Sequence, residues 1–408
     1  MPGIERLVRP LRVARTIARL NVGGPTRHVV WLTAGLEGPE VHTVLITGTV
    51  PAGEDDMTPF ATAHGVVPFV IPEMSREISP RDVISVWKFF RFLHRFRPDI
   101  VHTHTAKAGT VGRAAGLLYR WLTWKTLIGK PRRVVFVHTF HGHVFHSYYG
   151  KLKTRFFILV EKVLARLATD VIITISEQQR HEIHQTFGIG RAEQFRVIPL
   201  GVELDVPGER APTPPVEVAI VGRLVPIKNH ELFLRVIAAR EWPAPVRFVV
   251  YGDGAERAAL EQRATALGLA GRIRFAGTRP AAEIYPAAGI VALTSLNEGT
   301  PLTLIEAMLA GVPVISTAVG GVPDVLGPVE ERVQAEGAVY EIRERGLSAA
   351  SNDVAGFAAG LSRLLADGEL RERLTRRGRD FAATAYSKDR LLTDIIALYR
   401  ELHDAPRS

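Results

Sequence analysis

The 408-residue chain has no cysteine, which excludes disulfides, thiolate zinc sites and a thiol nucleophile, and fits a reducing compartment. No window reaches about 18 uninterrupted apolar residues, so no helix is expected to span a membrane. The N-terminus, MPGIERLVRPLRVARTIARL, is interrupted by arginines throughout and does not read as a secretory signal. No Asp-x-Asp occurs. No strand ends in Gly-x-Gly-x-x-Gly with an acid about 20 residues on, which sets aside a dinucleotide-dependent oxidoreductase. Low-complexity tracts are absent, and with 46% hydrophobic residues the chain is long enough for two cores of near-equal size.

Acid is scarce in the first half. Residues 1–200 hold 27 Lys and Arg against 15 Asp and Glu, and the remainder 24 against 27, so the halves carry +12 and −3. Residues 101–150 hold seven Lys and Arg and no acid. That bias suits anionic lipid, phosphate or nucleic acid, but no helix-turn-helix, zinc finger or single-strand-binding pattern accompanies it, so nucleic acid is not the expected partner. Basic and aromatic residues interleave in three segments, 82–97, 119–125 and 151–167. Each reads either as a helix packed on a sheet or as an amphipathic surface lying in a lipid interface. Their concentration in the basic half favours a lipid-facing surface.

What is present is a repeated strand–helix alternation. Strands are expected at 11–20, 41–47, 67–71, about 99–104, 134–139 and 171–174. A second series follows at 216–221, 246–251, 273–276, 290–293 and 312–316. Between the two series lies VPGERAPTPP, residues 206–215, whose prolines and polar residues read as a linker. The expected domains are therefore 1–205 and 206–387, with a helix over about 388–403 behind them.

The stretch 289–317, GIVALTSLNEGTPLTLIEAMLAGVPVIST, reads as buried strand, polar turn, helix and buried strand. Thr300 before Pro301 predicts the helix start and Gly311 its end. Apolar residues leave only Thr303 and Glu306 as a polar stripe, so Glu306 must meet either a basic core residue or the hydroxyls of a ligand. Glu298 precedes the helix N-terminus, where free N–H groups can hold an anion, and otherwise reads as a solvated loop acid. Arg223 and Lys228 in GRLVPIKN leave one strand-to-helix loop and could clamp a diphosphate or stand as surface cations. Gly23 and Gly24, before Arg27 and His28, allow close backbone approach to a ligand or only a tight turn. His102 and His104 could be half of a metal site, with no carboxylate or cysteine near enough in sequence to complete it. Histidines at 138, 141, 143 and 146 crowd one loop, more than packing alone calls for.

The pattern EGTPLTLIEAM followed by GVPVI resembles the sugar-nucleotide signature of retaining glycosyltransferases of family 4. GRLVPIKN resembles the donor-diphosphate motif of that family, and NVGGPTRHV, HTHTAKAG and the FHGHVF stretch resemble its N-terminal loops. The resemblance implies an α/β protein of GT-B architecture, two Rossmann-like parallel-sheet domains facing across a cleft, with segment 388–408 crossing back to the first domain. Glu298 and His141 are the implied catalytic side chains. Arg223 and Lys228 would neutralise the leaving diphosphate, and Glu306 would accept from the ribose hydroxyls. Gly24 would face the diphosphate, and the backbone of Gly299, Thr300 and Leu302 would hold the donor sugar and β-phosphate. Arg27, His28, His104 and Lys107 would line the acceptor side. No cofactor and no metal are implied beyond the sugar nucleotide, expected to carry UDP, and the acceptor is expected to be a polysaccharide or lipid-linked hydroxyl. The expected location is cytoplasmic, peripheral on the inner face of an anionic membrane. Asp324 stands where the family usually has glutamate. A sugar-nucleotide-binding or membrane-associated scaffold without catalysis is the alternative.

Overall fold

Val, Ile and Leu fill the strand segments, as strands covered on both faces require. A computed structural model describes residues 9–51, 56–75, 79–141, 151–203, 216–243, 245–335 and 337–404. The linker expected over 206–215, and His143 and His146, lie outside the described residues. The chain divides into two units, Met1–Leu200 with Lys388–Ser408, and Gly201–Ser387.

The first unit holds β1 (Leu11–Ile17), β2 (Val41–Thr47), β3 (Phe69–Val70), β4 (Ile100–His104), β5 (Val135–Thr139), β6 (Val171–Thr174) and β7 (Phe195–Val197). They form one parallel sheet in the order β3-β2-β1-β4-β5-β6-β7. β3 is shorter than the expected 67–71 because Pro68 and Pro72 bracket it, and proline has no N–H for a ladder. β1 leaves the sheet after Ile17 rather than Leu20. The helix Lys388–Asp404 belongs to this unit. Its Leu391, Ile395, Leu398 and Tyr399 pack with Val13, Leu32, Ile100, Val137 and Val171 in one core.

The second unit holds β8 (Val216–Val221), β9 (Val246–Tyr251), β10 (Ile273–Gly277), β11 (Ile290–Leu293), β12 (Val314–Thr317), β13 (Val329–Ala335), β14 (Ala338–Arg343) and β15 (Gly346–Ala349). The order is β10-β9-β8-β11-β12-β15-β14-β13. Pairing is parallel up to β15, while β14 runs antiparallel to both β15 and β13. This edge hairpin was not expected. Its outer strand, VEERVQA, has Glu330, Glu331 and Arg332 in a row, so it lacks the apolar run that marks a buried strand.

In the first sheet β1 lies between β2 and β4, and in the second β8 lies between β9 and β11. Open parallel sheets bind ligands beyond the carboxyl ends of their strands where the strand order reverses in this way. The carboxyl end of β4, the helix after β1 and the loop after β5 carry the histidines, and the loops after β8 and β11 carry Lys228 and Glu298.

Candidate functional site

In the second unit, two loops at the reversal point are stitched together. The Leu296 N–H donates to the Ile227 carbonyl at 2.8 Å, and the Thr294 hydroxyl donates to the carbonyls of Lys228 and Asn229 at 3.2 and 3.0 Å. That stitching carries Lys228, on a one-turn 3-10 segment Pro226–Lys228, against the turn after β11. Its Nζ donates to Glu298 Oε1 at 2.6 Å, and Ser295 Oγ donates to the same oxygen at 2.5 Å. The side chains of Lys228 and Glu298 are 22% and 10% exposed, so the pair is shielded enough for its geometry to be fixed. The loop after β12 grips the other side of Glu298. Gly320 has φ +54°, and a Cβ there would lie 1.9 Å from the Glu298 carbonyl oxygen, so only glycine fits. The neighbouring Gly321 N–H donates to that oxygen at 3.0 Å.

The helix after Glu298 spans Leu302–Leu309, with Pro301 at its cap and no side-chain cap bond. The expected Thr300 cap is therefore not formed. Pro301 itself has non-helical backbone, φ −77° and ψ 86°, so the cap falls one residue later than expected, on a side chain with no oxygen to offer. Thr300 Oγ1 is buried without a hydrogen-bond partner. Gly311, at φ +71°, closes the helix as expected. Glu306, half-buried, accepts a hydrogen bond from the Tyr285 hydroxyl, a neutral donor, at 2.6 Å on Oε2. Gly299 and Leu302 flank this turn and are half-buried. Arg223 is exposed and makes no ion pair among the described residues, so the two cations of its loop share no partner here.

Sequence reasoning did not find Ser295, Tyr285 or His230. Tyr285 lies in an apolar helix, Ala281–Ala287, where nothing marks it. His230 is buried with neither ring nitrogen bonded. Burial, with Lys228 close by, lowers its pKa to about 4.

In the first unit, β1 and β4 bring Arg15 and His102 into direct register, and His104 follows two residues later on the same face. All three are fully buried. Arg15 donates to Thr33 Oγ1 at 2.9 Å and to the Tyr399 hydroxyl at 3.1 Å. Tyr399 Oη lies 2.6 Å from His102 Nδ1, and His102 Nε2 lies 2.7 Å from Thr139 Oγ1. A guanidinium can only donate, so the tyrosine oxygen accepts from Arg15 and its own proton goes to His102 Nδ1. His102 is thereby the Nε2–H tautomer and donates to Thr139. Beside it, His104 Nδ1 and His141 Nε2 are 2.8 Å apart, one donating and the other accepting. The His28 ring lies 5.6 Å from that of His104 and 4.8 Å from that of His141.

One ring nitrogen from each of His28, His104 and His141 lies within 4.8 Å of the others, so these three side chains could hold a metal ion. The sequence showed only His102 and His104 as half a site, because the other imidazoles come from the loop after β5 and from helix Gly24–Leu36. Both His28 nitrogens, His104 Nε2 and His141 Nδ1 are buried without a partner. Burial holds His28, His102 and His104 well below the usual imidazole range, and Arg15 adds to the effect. Burial pushes His141 down to about 3. All four rings are therefore neutral near pH 7, able both to donate and to accept.

Gly24 opens the helix Gly24–Leu36, and Arg27 on it is exposed. Lys107, expected on the acceptor side, pairs with Asp82 at the start of helix Asp82–Phe96.

Two parallel α/β units, each with its polar cluster at the reversal point of its sheet, define a protein of the GT-B class. The model described as glycosyl transferases group 1 matches residues 203–381, and that of glycosyltransferase family 4 matches residues 22–206. The chain belongs to the GT-B glycosyltransferases of the family-4 type. Among its relatives is the UDP-Gal:alpha-D-GlcNAc-diphosphoundecaprenol alpha-1,3-galactosyltransferase of Escherichia coli, 29% identical over 62% of this chain and 66% of that protein. Another is a D-inositol 3-phosphate glycosyltransferase of Corynebacterium urealyticum, 29% identical over 58% of each chain. These matches thus span 66% and 58% of the relatives' own lengths, less than two thirds in each case. Among solved structures, Anabaena Alr3699/HepE in complex with UDP aligns with a TM-score of 0.74 at 19% identity, over 96% of this chain and all of that one, a likeness of fold.

Proposed function

We propose that the chain transfers a sugar from a UDP-sugar to a hydroxyl of a polysaccharide or lipid-linked acceptor, with retention at the anomeric carbon and without a metal. The observation that carries this reading is the convergence of Lys228, Ser295 and Glu298 at the reversal point of the second sheet, with Glu306 on the helix that follows. Lys228 would leave Glu298 for the β-phosphate, and Arg223, already exposed, would add the second positive charge. Together they take over the charge neutralisation that a divalent ion often supplies to a leaving diphosphate. Glu306, held by Tyr285, would accept from the ribose hydroxyls, and the backbone of Gly299, Thr300 and Leu302 would meet the phosphate. The acceptor hydroxyl attacks the anomeric carbon from the face that the diphosphate leaves, the carbon–oxygen bond to UDP breaks, and the hydroxyl proton passes to a phosphate oxygen. Glu298 orients the donor sugar and forms no covalent bond. His141, neutral and fixed by His104, would bond the sugar and acceptor hydroxyls.

Support for the donor comes from the relative that acts on UDP-Gal and from the UDP bound to the Anabaena protein. Support for a lipid-linked acceptor is the diphosphoundecaprenol in the same relative's name. The basic first half favours work at a membrane surface, peripherally, since among the described residues no helix is long and apolar enough to cross one. A silent sugar-nucleotide scaffold would keep the fold but has no use for Glu298, Glu306, Arg223, Lys228 and His141 together.

Calorimetric titration with UDP, GDP and ADP in EDTA tests the donor site. UDP is expected to bind, and Lys228→Ala to weaken it on the order of tenfold to a hundredfold, the value of one charge-assisted bond. Absence of binding by all three, or an unchanged dissociation constant in the variant, overturns the assignment.

A further inference from the structure

The large apolar side chains left exposed on this molecule are unevenly placed. Among the described residues, only Leu296 and Val329 belong to the second unit, and all the others lie in the first. The densest group follows helix Ala106–Trp121. Leu127 is 90% exposed, Trp124 69%, Leu122 61%, Ile128 59% and Trp121 51%. The 3-10 turn Trp124–Ile128 buries none of its residues. A turn that buries none of its residues has no reason of its own to carry a tryptophan, a leucine and an isoleucine, with Trp121 and Leu122 exposed just before it.

Beside it runs helix Lys151–Leu167. Phe156, Leu159, Val163 and Leu167 are all exposed and recur at helical spacing, so they form one outward stripe. The two helices are locked side by side. Arg113 donates to both oxygens of Glu161 at 2.8 and 2.7 Å in the interior, and Arg120 pairs with Asp170 at 2.7 Å near the helix ends that adjoin the turn. The stripe and the turn thus belong to one helical layer.

Charge decides what covers that layer. Residues 83–169 contain sixteen Lys and Arg and only two acids, Asp99 and Glu161. Both acids are paired, Asp99 with Arg9 and Glu161 with Arg113. Lys125, Lys130, Arg133, Arg155, Lys162 and Arg166 are exposed around the apolar residues. A second copy of the chain would bring the same positive face against itself, since a two-fold contact is self-complementary. Tryptophans and lysines around short apolar runs are instead the chemistry of the water–lipid boundary.

We propose that this layer, the outer side of helices Ala106–Trp121 and Lys151–Leu167 with the Trp124–Ile128 turn, docks on an anionic phospholipid bilayer, the turn seated at headgroup depth. The inference rests on the surface placement in the reading above and not on its transfer chemistry. Loss of UDP binding and loss of lipid binding are therefore separate outcomes.

The test is cosedimentation of the full chain with vesicles of phosphatidylcholine alone and with roughly one-third phosphatidylglycerol, alongside tryptophan emission. Binding is expected on the anionic vesicles with a blue shift, and at least about tenfold more weakly on the neutral ones. Trp124→Ser with Leu127→Ser should reduce the blue shift and weaken binding on the order of tenfold, with circular dichroism and melting unchanged. Lys125→Glu with Lys130→Glu should weaken binding to anionic vesicles only. The proposal is overturned if the parent ignores anionic vesicles or if both variants bind as the parent does. It is equally overturned if the parent is a dimer that the serine variant splits without change in lipid binding.

Discussion

Glu298 is held by the ammonium of Lys228, the hydroxyl of Ser295 and, through its backbone oxygen, the N–H of Gly321. Glu298→Ala is expected to lower turnover on the order of a hundredfold to a thousandfold, the scale of a lost preorganised polar contact, while circular dichroism stays that of the parent. Near-normal turnover in a donor-to-acceptor transfer assay would remove Glu298 from the reaction. Tyr285→Phe should loosen UDP several-fold by calorimetry, since one neutral hydrogen bond contributes about 1 kcal/mol, and an unchanged affinity would make that hydroxyl merely structural. At this scale the sequence showed much: Glu298, Glu306, Arg223 and Lys228 stand within short motifs whose spacing is local. Ser295 and Tyr285 escaped because their role depends on which loop the fold lays beside them.

The elements carry the histidines. β4 and β5 form a layer with buried imidazoles on both faces, His102 and His104 on one with His28 and His141 against its end, and His138 on the other beside Thr103. Burial holds all five below their ordinary pKa. In the unfolded chain the same rings protonate near pH 6.5, so below that pH the unfolded state binds more protons. The stability they contribute is fully present above about pH 6.5 and is lost as pH falls toward the depressed native values. The melting temperature should therefore drop between about pH 7 and about pH 5, and a scanning calorimetry series that stays flat across that window would contradict the neutral layer. Strands β2, β6, β8, β9 and β11 were legible to the residue, because each is rich in apolar and β-branched residues and lies between polar loops. The antiparallel hairpin β13–β14 was not, since its outer strand is solvated and its pairing is fixed by neighbours rather than by its own pattern. Thr300 misled because Pro301 stays non-helical and takes the cap position itself, which leaves Thr300 one residue too early.

Over the whole molecule, the helix Lys388–Asp404 completes the core of the first unit rather than extending the second. Deleting residues 388–408 is expected to leave Val13, Leu32 and Ile100 uncovered and Arg15 without the Tyr399 hydroxyl. The truncated chain should lose cooperative unfolding in urea, and a full-height transition at the parent midpoint would refute this. Tyr399→Phe keeps the ring but strips the oxygen that joins Arg15 to His102, so it should cost about 1–3 kcal/mol, the penalty for leaving buried polar groups unpaired. That the last helix returns was suggested by resemblance to relatives, whereas its anchoring on Arg15 and His102 is a contact across the length of the chain that no local pattern contains.

The same helix sets an order of events on the ribosome. A nascent chain usually finishes its first domain before the next emerges, yet here Arg15 waits for a tyrosine made 384 residues later. At about 5–20 residues per second, adding the intervening unit takes on the order of ten to forty seconds. Throughout that interval the early sheet has an uncovered apolar flank and a guanidinium lacking one of its bonds, while the second unit, continuous in sequence, is free to fold. The part of the protein synthesised first is thus completed last, and a chaperone that shelters exposed apolar surface would meet this chain at its N-terminal half.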